Sequence, residues 1–254
     1  REIETKRFQE YSILTGRTEN MNRIEKRMEE LQQKNEKAFV TYMTAGLPDM
    51  EGTKALIKAQ DEAGIDIIEL GIPFSDPTAD GPVIQDASYR SICKGTNLKG
   101  VFAAVEEVRK DCDVPLVFMM YYNTILYYGV DAFARKCAEV GVDGLIIPDL
   151  PKEEQFELVE ALDNTENAPI LIQLVAPVSA DRIPMILENA RGYVYCVSSM
   201  EVPGQAEHFH KNVKIYLENV KAVSKIPVMM GFGIRTAEDV AGLKDTIDGC
   251  IVGT

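Results

Sequence analysis

The chain has 254 residues, 46% of them hydrophobic and 26% charged, with a formal net charge of −13. That is the composition of a globular protein with one large core, and the negative charge argues against nucleic acid or an anionic membrane as the main partner. No apolar run approaches the ~20 residues needed to cross a bilayer. The five cysteines (Cys93, Cys112, Cys137, Cys196 and Cys250) contain no C-x-x-C pair, which reads as reduced thiols in a cytoplasmic protein.

Residues 1–20 are polar and lack apolar periodicity, so they read as a non-native or poorly ordered extension, and the fold as residues 21–254. A helical pattern at 21–35 leads in. Short apolar runs then predict strands at Ala38–Thr44, Asp66–Leu70, Leu116–Tyr121, Gly144–Ile147, Ile170–Val175, Gly192–Val197, Pro227–Met230 and Gly249–Val252. Helical patterns fall between them near 52–64, 98–111, 131–140, 152–163, 180–189, 208–224 and 237–244. Most of the strands are apolar on both faces, as parallel strands covered by helices are. The expectation is an α/β fold, a single (β/α)8 TIM barrel with an extra N-terminal helix. An eighth helix is expected after Thr254, so the barrel reads as truncated after strand eight.

The polar residues of interest fall at strand C-terminal ends, where such a barrel keeps its active site. Glu69 ends the apolar run Ile65–Leu70, and a glutamate buried there needs a reason. General acid/base chemistry is one, because burial lifts a carboxyl pKa toward neutrality. A buried acid satisfying loop amides is the other. Asp80 follows on a loop stiffened by Pro73, Pro77 and Pro82, and reads either as a second carboxylate of the site or as a turn aspartate. Asp76 in Ser-Asp-Pro is also a common turn residue. Asp149 ends the fourth strand, where loop anchoring, subunit contact and chemistry all remain open. Tyr121 and Tyr195 end strands three and six and either wall an aromatic substrate or fill the core.

Glycine turns after the last two strands, Gly231-Phe232-Gly233-Ile234 and Gly253-Thr254, fit a phosphate held by backbone amides and a helix N-terminus. The same pattern also makes an ordinary tight turn. No predicted strand carries a lysine, which disfavours a Schiff-base aldolase. His208 and His210, two residues apart, do not share a helical face and read as surface residues, so no metal site is expected.

The run Glu69 to Gln85, ELGIPFSDPTADGPVIQ, resembles the signature of the tryptophan synthase alpha chain family nearly residue for residue. Phe39–Gly46, Met120–Asn123, Leu145–Pro151, Gly192–Val197 and Gly231–Ile234 resemble the same family in order, so the resemblance covers roughly residues 21–254. It implies retro-aldol cleavage of indole-3-glycerol phosphate to indole and D-glyceraldehyde 3-phosphate, with Glu69 as general acid/base and Asp80 on the indole N–H. It also implies an aromatic pocket of Tyr42, Tyr121, Ile146, Tyr195 and Phe232, and phosphate contacts from Gly204, Phe232, Gly233, Gly253 and Thr254. Asp76, Asn123 and Asp149 would then face a beta chain or the mobile loops. The family works as an α2β2 heterotetramer that passes indole to this partner, which carries the pyridoxal phosphate; no cofactor is expected in the present chain. The resemblance departs at Ser199 and Pro203, where the family more often has Arg-x-Gly-Val-Thr-Gly. Proline offers neither a backbone donor nor a hydroxyl. This departure motivates an alternative expectation, a catalytically weak alpha-type barrel acting mainly as an allosteric or channelling subunit. A stand-alone lyase that releases free indole is a further reading.

Overall fold

A computed structural model describes residues 21–197, 206–231, 234 and 236–253. The sequence opens the fold with α1 (Arg23–Lys34). Asn22 caps this helix by accepting the Ile24 N–H at 2.8 Å, while Glu25 accepts the Asn22 N–H. Glu25 also receives Arg191 at 2.8 Å. Ile24, Met28 and Leu31, spaced four and three apart, form the buried stripe of the helix.

From there βα units alternate along the chain. They comprise β1 (Ala38–Thr44), α2 (Met50–Glu62), β2 (Ile67–Gly71), α3 (Pro82–Cys93), α4 (Leu98–Val108), β3 (Leu116–Met119), α5 (Tyr122–Tyr128), α6 (Val130–Val140), β4 (Gly144–Ile146), α7 (Phe156–Asp163) and β5 (Ile170–Leu171). Then come β6 (Gln173–Val175), α8 (Ile183–Leu187), β7 (Val194–Val197), α9 (Ala206–Val223), β8 (Val228–Gly231), α10 (Ala237–Ala241) and β9 (Gly249–Val252).

These elements divide into two compact units. One takes Phe39–Leu171 with the last residues of the chain. Its strands are parallel in the order β5-β4-β3-β2-β1, and its core gathers Ile68, Leu70, Phe118 and Leu145 with Phe102 and Phe133. The rings of Phe102 and Phe118 are 5.8 Å apart, and those of Phe102 and Phe133 are 5.9 Å apart. The other unit takes the described residues up to Ala38 and Ile172–Ile251. Its strands are also parallel, in the order β9-β8-β7-β6, over a core of Val194, Cys196, Leu217, Val220, Val228 and Met230.

Some boundaries differ from the reading of the sequence. The strand expected at Ile170–Val175 is interrupted at Ile172, which makes two short strands of one. The helices expected at 152–163 and 180–189 both begin as 3-10 turns, at Lys152–Glu154 and Pro177–Arg182. Helices α3 and α5 have no counterpart among the elements that the sequence predicts.

At the strand N-terminal ends a single bracket occurs three times. Asp66, Asp143 and Asp248 each stand one residue ahead of a strand and accept the N–H of a residue on the neighbouring strand. The bonds run from Phe39 at 2.7 Å, Leu116 at 2.9 Å and Val228 at 2.7 Å. Two of the carboxylates also hold a cation, Arg109 on Asp143 at 2.6 Å and Lys221 on Asp248 at 2.6 Å. These three carboxylates are thus spent on joining strands. The chemistry-bearing residues sit at the other end.

Candidate active site

Glu69 lies near the end of β2, a strand with all five residues buried, and is itself fully buried. Parallel pairing sets it beside Tyr42 of β1 and Val117 of β3. Residues paired in this way point to the same face of the sheet, so the Tyr42 ring and the Glu69 carboxylate share one side.

Asp80 reaches the same neighbourhood from the loop that follows β2. Its backbone N–H closes a turn on the Pro77 carbonyl at 3.1 Å, so the turn reading of this residue holds as well. Its side chain accepts the Tyr121 hydroxyl at 3.0 Å. Tyr121 is buried at the start of α5, and its oxygen also receives the Ala79 N–H at 2.9 Å. Its ring stacks on Phe74 with centroids 5.1 Å apart. One tyrosine therefore pins the proline-rich loop at three places. Ser88 adds a fourth, accepting the Phe74 N–H at 3.2 Å.

Burial raises the Asp80 carboxyl above the usual aspartate range, and the Tyr121 hydrogen bond pulls it partly back. Burial also pushes the Tyr42 phenol up to about 12, with smaller contributions from the Asp80 and Glu69 charges. The phenol therefore lies within electrostatic reach of both acids. Glu69, Asp80, Tyr42 and Tyr121 form one cluster.

The remaining expected residues divide. Ile146 is buried at the end of β4. Gly253 lies against Tyr42, with a Cβ built on it 3.3 Å from the Tyr42 Cβ. Tyr195 belongs to the other unit, where its ring covers Gly231 so closely that any Cβ there would collide with it. Asp76 is exposed and receives the Ser75 hydroxyl. Asn123 is exposed on α5. Asp149 anchors that helix, its two oxygens accepting the Tyr122 N–H at 3.0 and 3.2 Å. The backbone of α9 carries His208 and His210 near its start. Gly204, Phe232, Gly233 and Thr254, with Ser199 and Pro203, lie outside the described residues. Among the described residues no group of three His, Cys, Asp or Glu side chains could hold a metal ion.

Thr44, Phe74 and Ser88 were not singled out in the sequence, although each touches a residue of the cluster or its loop. Phe74 lies in the signature run, Thr44 in the first strand and Ser88 three residues past the run, but small hydroxyls and a loop phenylalanine carry no chemistry by type alone.

The family model for the tryptophan synthase alpha chain matches residues 28–254. The chain belongs to the tryptophan synthase alpha chain family. An alpha chain of Lachnospira eligens is 61% identical over 92% of this chain and 89% of its own length. One from Thermoanaerobacter sp. is 47% identical over 92% and 88%. The crystal structure of the alpha subunit from Legionella pneumophila superposes with a TM-score of 0.84 at 38% identity, covering 92% of this chain and 87% of that one. The fold class is thus the α/β barrel of the alpha chains, as the alternation of strands and helices led one to expect. Family membership implies a role as alpha subunit in tryptophan biosynthesis and a beta chain as partner.

Proposed function

We propose that this chain cleaves indole-3-glycerol phosphate into indole and D-glyceraldehyde 3-phosphate by a retro-aldol step. The observation that carries the reading is the cluster itself: a glutamate sealed inside β2, and an aspartate held nearby on a loop pinned by Tyr121.

Glu69 donates a proton to the indole ring carbon that bears the glyceryl chain, which makes that carbon tetrahedral and leaves the ring nitrogen cationic. Asp80 accepts the N–H of this cation and stabilises its charge. Glu69, now a carboxylate, takes the proton of the adjacent glyceryl hydroxyl. The carbon–carbon bond breaks, its electron pair restores the aromatic ring, and the hydroxyl carbon leaves as an aldehyde. Two carboxylates in unlike surroundings suit these unlike tasks. The phosphate and aromatic contacts that the family resemblance names belong to the same reading.

The beta chain would receive indole and carry the pyridoxal phosphate in an α2β2 assembly. Support for a docking surface comes from α5, which Asp149 fixes at its start and which leaves Leu126 and Tyr127 exposed beside Asn123. A cytoplasmic setting belongs to the proposal; the five cysteines are free thiols, and no described helix is long and apolar enough to cross a membrane.

The test is Glu69→Gln, assayed for indole release with and without a beta chain. Loss of a general acid/base lowers the rate by about 10²–10⁴-fold while substrate binding is largely kept. Near-normal turnover would remove Glu69 from this role. A wild-type chain inert in both arms, yet still activating the beta chain, would favour the channelling role instead.

A further inference from the structure

Tyr42 offers more than a ring. Its register partner is Glu69, and the next pair on the same face, one step nearer the strand C-terminal ends, is Thr44 with Gly71. The Tyr42 side chain leans into that outer layer. Its hydroxyl is 3.4 Å from Thr44 Oγ1. A Cβ built on Gly71 would collide with the phenol oxygen and stand 2.6 Å from Cζ and 2.8 Å from Cε2. Gly71 is thus the residue that gives the phenol its seat.

This seat places a hydroxyl one layer outward from the buried Glu69 and within electrostatic reach of Asp80. The contact with Thr44 is long for an O–H···O hydrogen bond, so the phenol can exchange it for a ligand oxygen at little cost. With its pKa held near 12, the phenol keeps its proton across the neutral range.

Resting on the functional reading above, we infer that the Tyr42 hydroxyl donates a hydrogen bond to the glyceryl oxygen from which Glu69 takes the proton. The phenol neither gains nor loses a proton in the step. It holds the oxygen beside the breaking bond and stabilises it as the carbonyl forms. The assignment goes beyond a wall contact, for which a phenylalanine would serve equally well.

Tyr42→Phe in the full chain tests this, because the variant keeps the ring in the Gly71 seat and removes one oxygen. The expected result is a fall in kcat of roughly 10- to 100-fold, with KM within about threefold and the melting temperature nearly unchanged. An undiminished kcat overturns the inference, and so does a raised KM at full kcat, which would leave only the wall. A fluorinated tyrosine of lower pKa at position 42 adds a second readout. If the phenol proton is needed, kcat acquires a new alkaline limb; an unchanged pH profile counts against the role. A wild-type chain that releases no indole overturns the functional reading and this inference together. A working wild type with a fully active Tyr42→Phe overturns the inference alone.

Discussion

The Tyr121 hydroxyl stands 3.0 Å from Asp80 Oδ2 and at the same time receives the Ala79 N–H at 2.9 Å. Its single proton is thereby committed to the carboxylate. The bond favours the ionised form of Asp80 and offsets part of the rise caused by burial. Tyr121→Phe removes that offset, so the Asp80 pKa moves further up. If the reaction needs Asp80 ionised, the acid limb of kcat/KM shifts to higher pH. A pH–rate profile of the variant checks this, and an acid limb that stays put would detach Tyr121 from Asp80.

The raised pKa of Asp80 also has a sign for stability. The folded state holds the Asp80 proton more tightly than the unfolded chain does, so between the ordinary aspartate pKa and the folded one stability falls as pH rises. Above that window the ionised Asp80 is a net cost to folding. Asp80→Asn should therefore melt at the wild-type temperature or up to about 2 °C higher at pH 7, while losing most indole release. Thermal melts at pH 7 and near pH 4 measure it: any gain should shrink at the lower pH. A variant that melts several degrees lower at pH 7 would mean that the carboxylate supports the loop more than it strains it.

Asp80, in a loop crowded with prolines, read equally as a turn aspartate, but Glu69 could be read in the sequence as exceptional, because a carboxylate in an apolar run breaks a local rule. Helix α3 could not. Its inward face is Ser88 and Ser91, both buried, their hydroxyls bonded to the Phe74 N–H and the Ala45 carbonyl. Val83 and Tyr89 lie on the exposed side. A helix with serines inside and apolar residues outside has no stripe to detect. Helix α5 was hidden for another reason, since its cap comes from Asp149, 27 residues away. Two strand glycines were equally silent in the sequence. Gly71 and Gly231 are glycines because tyrosines from the neighbouring strands, Tyr42 and Tyr195, lie across them, and that cause appears only once the strands are paired.

Helix α5 also supports a prediction about assembly. Tyr127 is 95% exposed and Leu126 49%, on a seven-residue helix that Asp149 fixes at its start. Exposed aromatic anchors of this kind carry a large share of interface energy. Tyr127→Ala should weaken binding of a beta chain about 10-fold or more, leaving the melting temperature of the isolated chain unchanged. Titration calorimetry with a beta chain supplies the measurement, and unaltered affinity would move the partner surface elsewhere.

The three aspartate brackets differ in depth, and that difference predicts unequal costs. Asp143 and Arg109 are nearly sealed, with side-chain exposures of 4% and 9%, and the guanidinium also donates to the carbonyls of Gly141 and Val114. Asp143→Ala removes the carboxylate facing a buried cation and the acceptor of the Leu116 N–H in one step. Water cannot easily reach either group, so the loss should be about 3–5 kcal/mol. Asp248 and Lys221 keep 28% and 36% of their side chains exposed. There solvent can take over the Lys221 ammonium, and Asp248→Ala should cost only about 1–2 kcal/mol, mostly from the Val228 N–H. Denaturant midpoints of the two variants decide the matter. Equal losses would mean that these aspartates act through the shared backbone bond to the neighbouring strand, and that the buried ion pair adds nothing of its own.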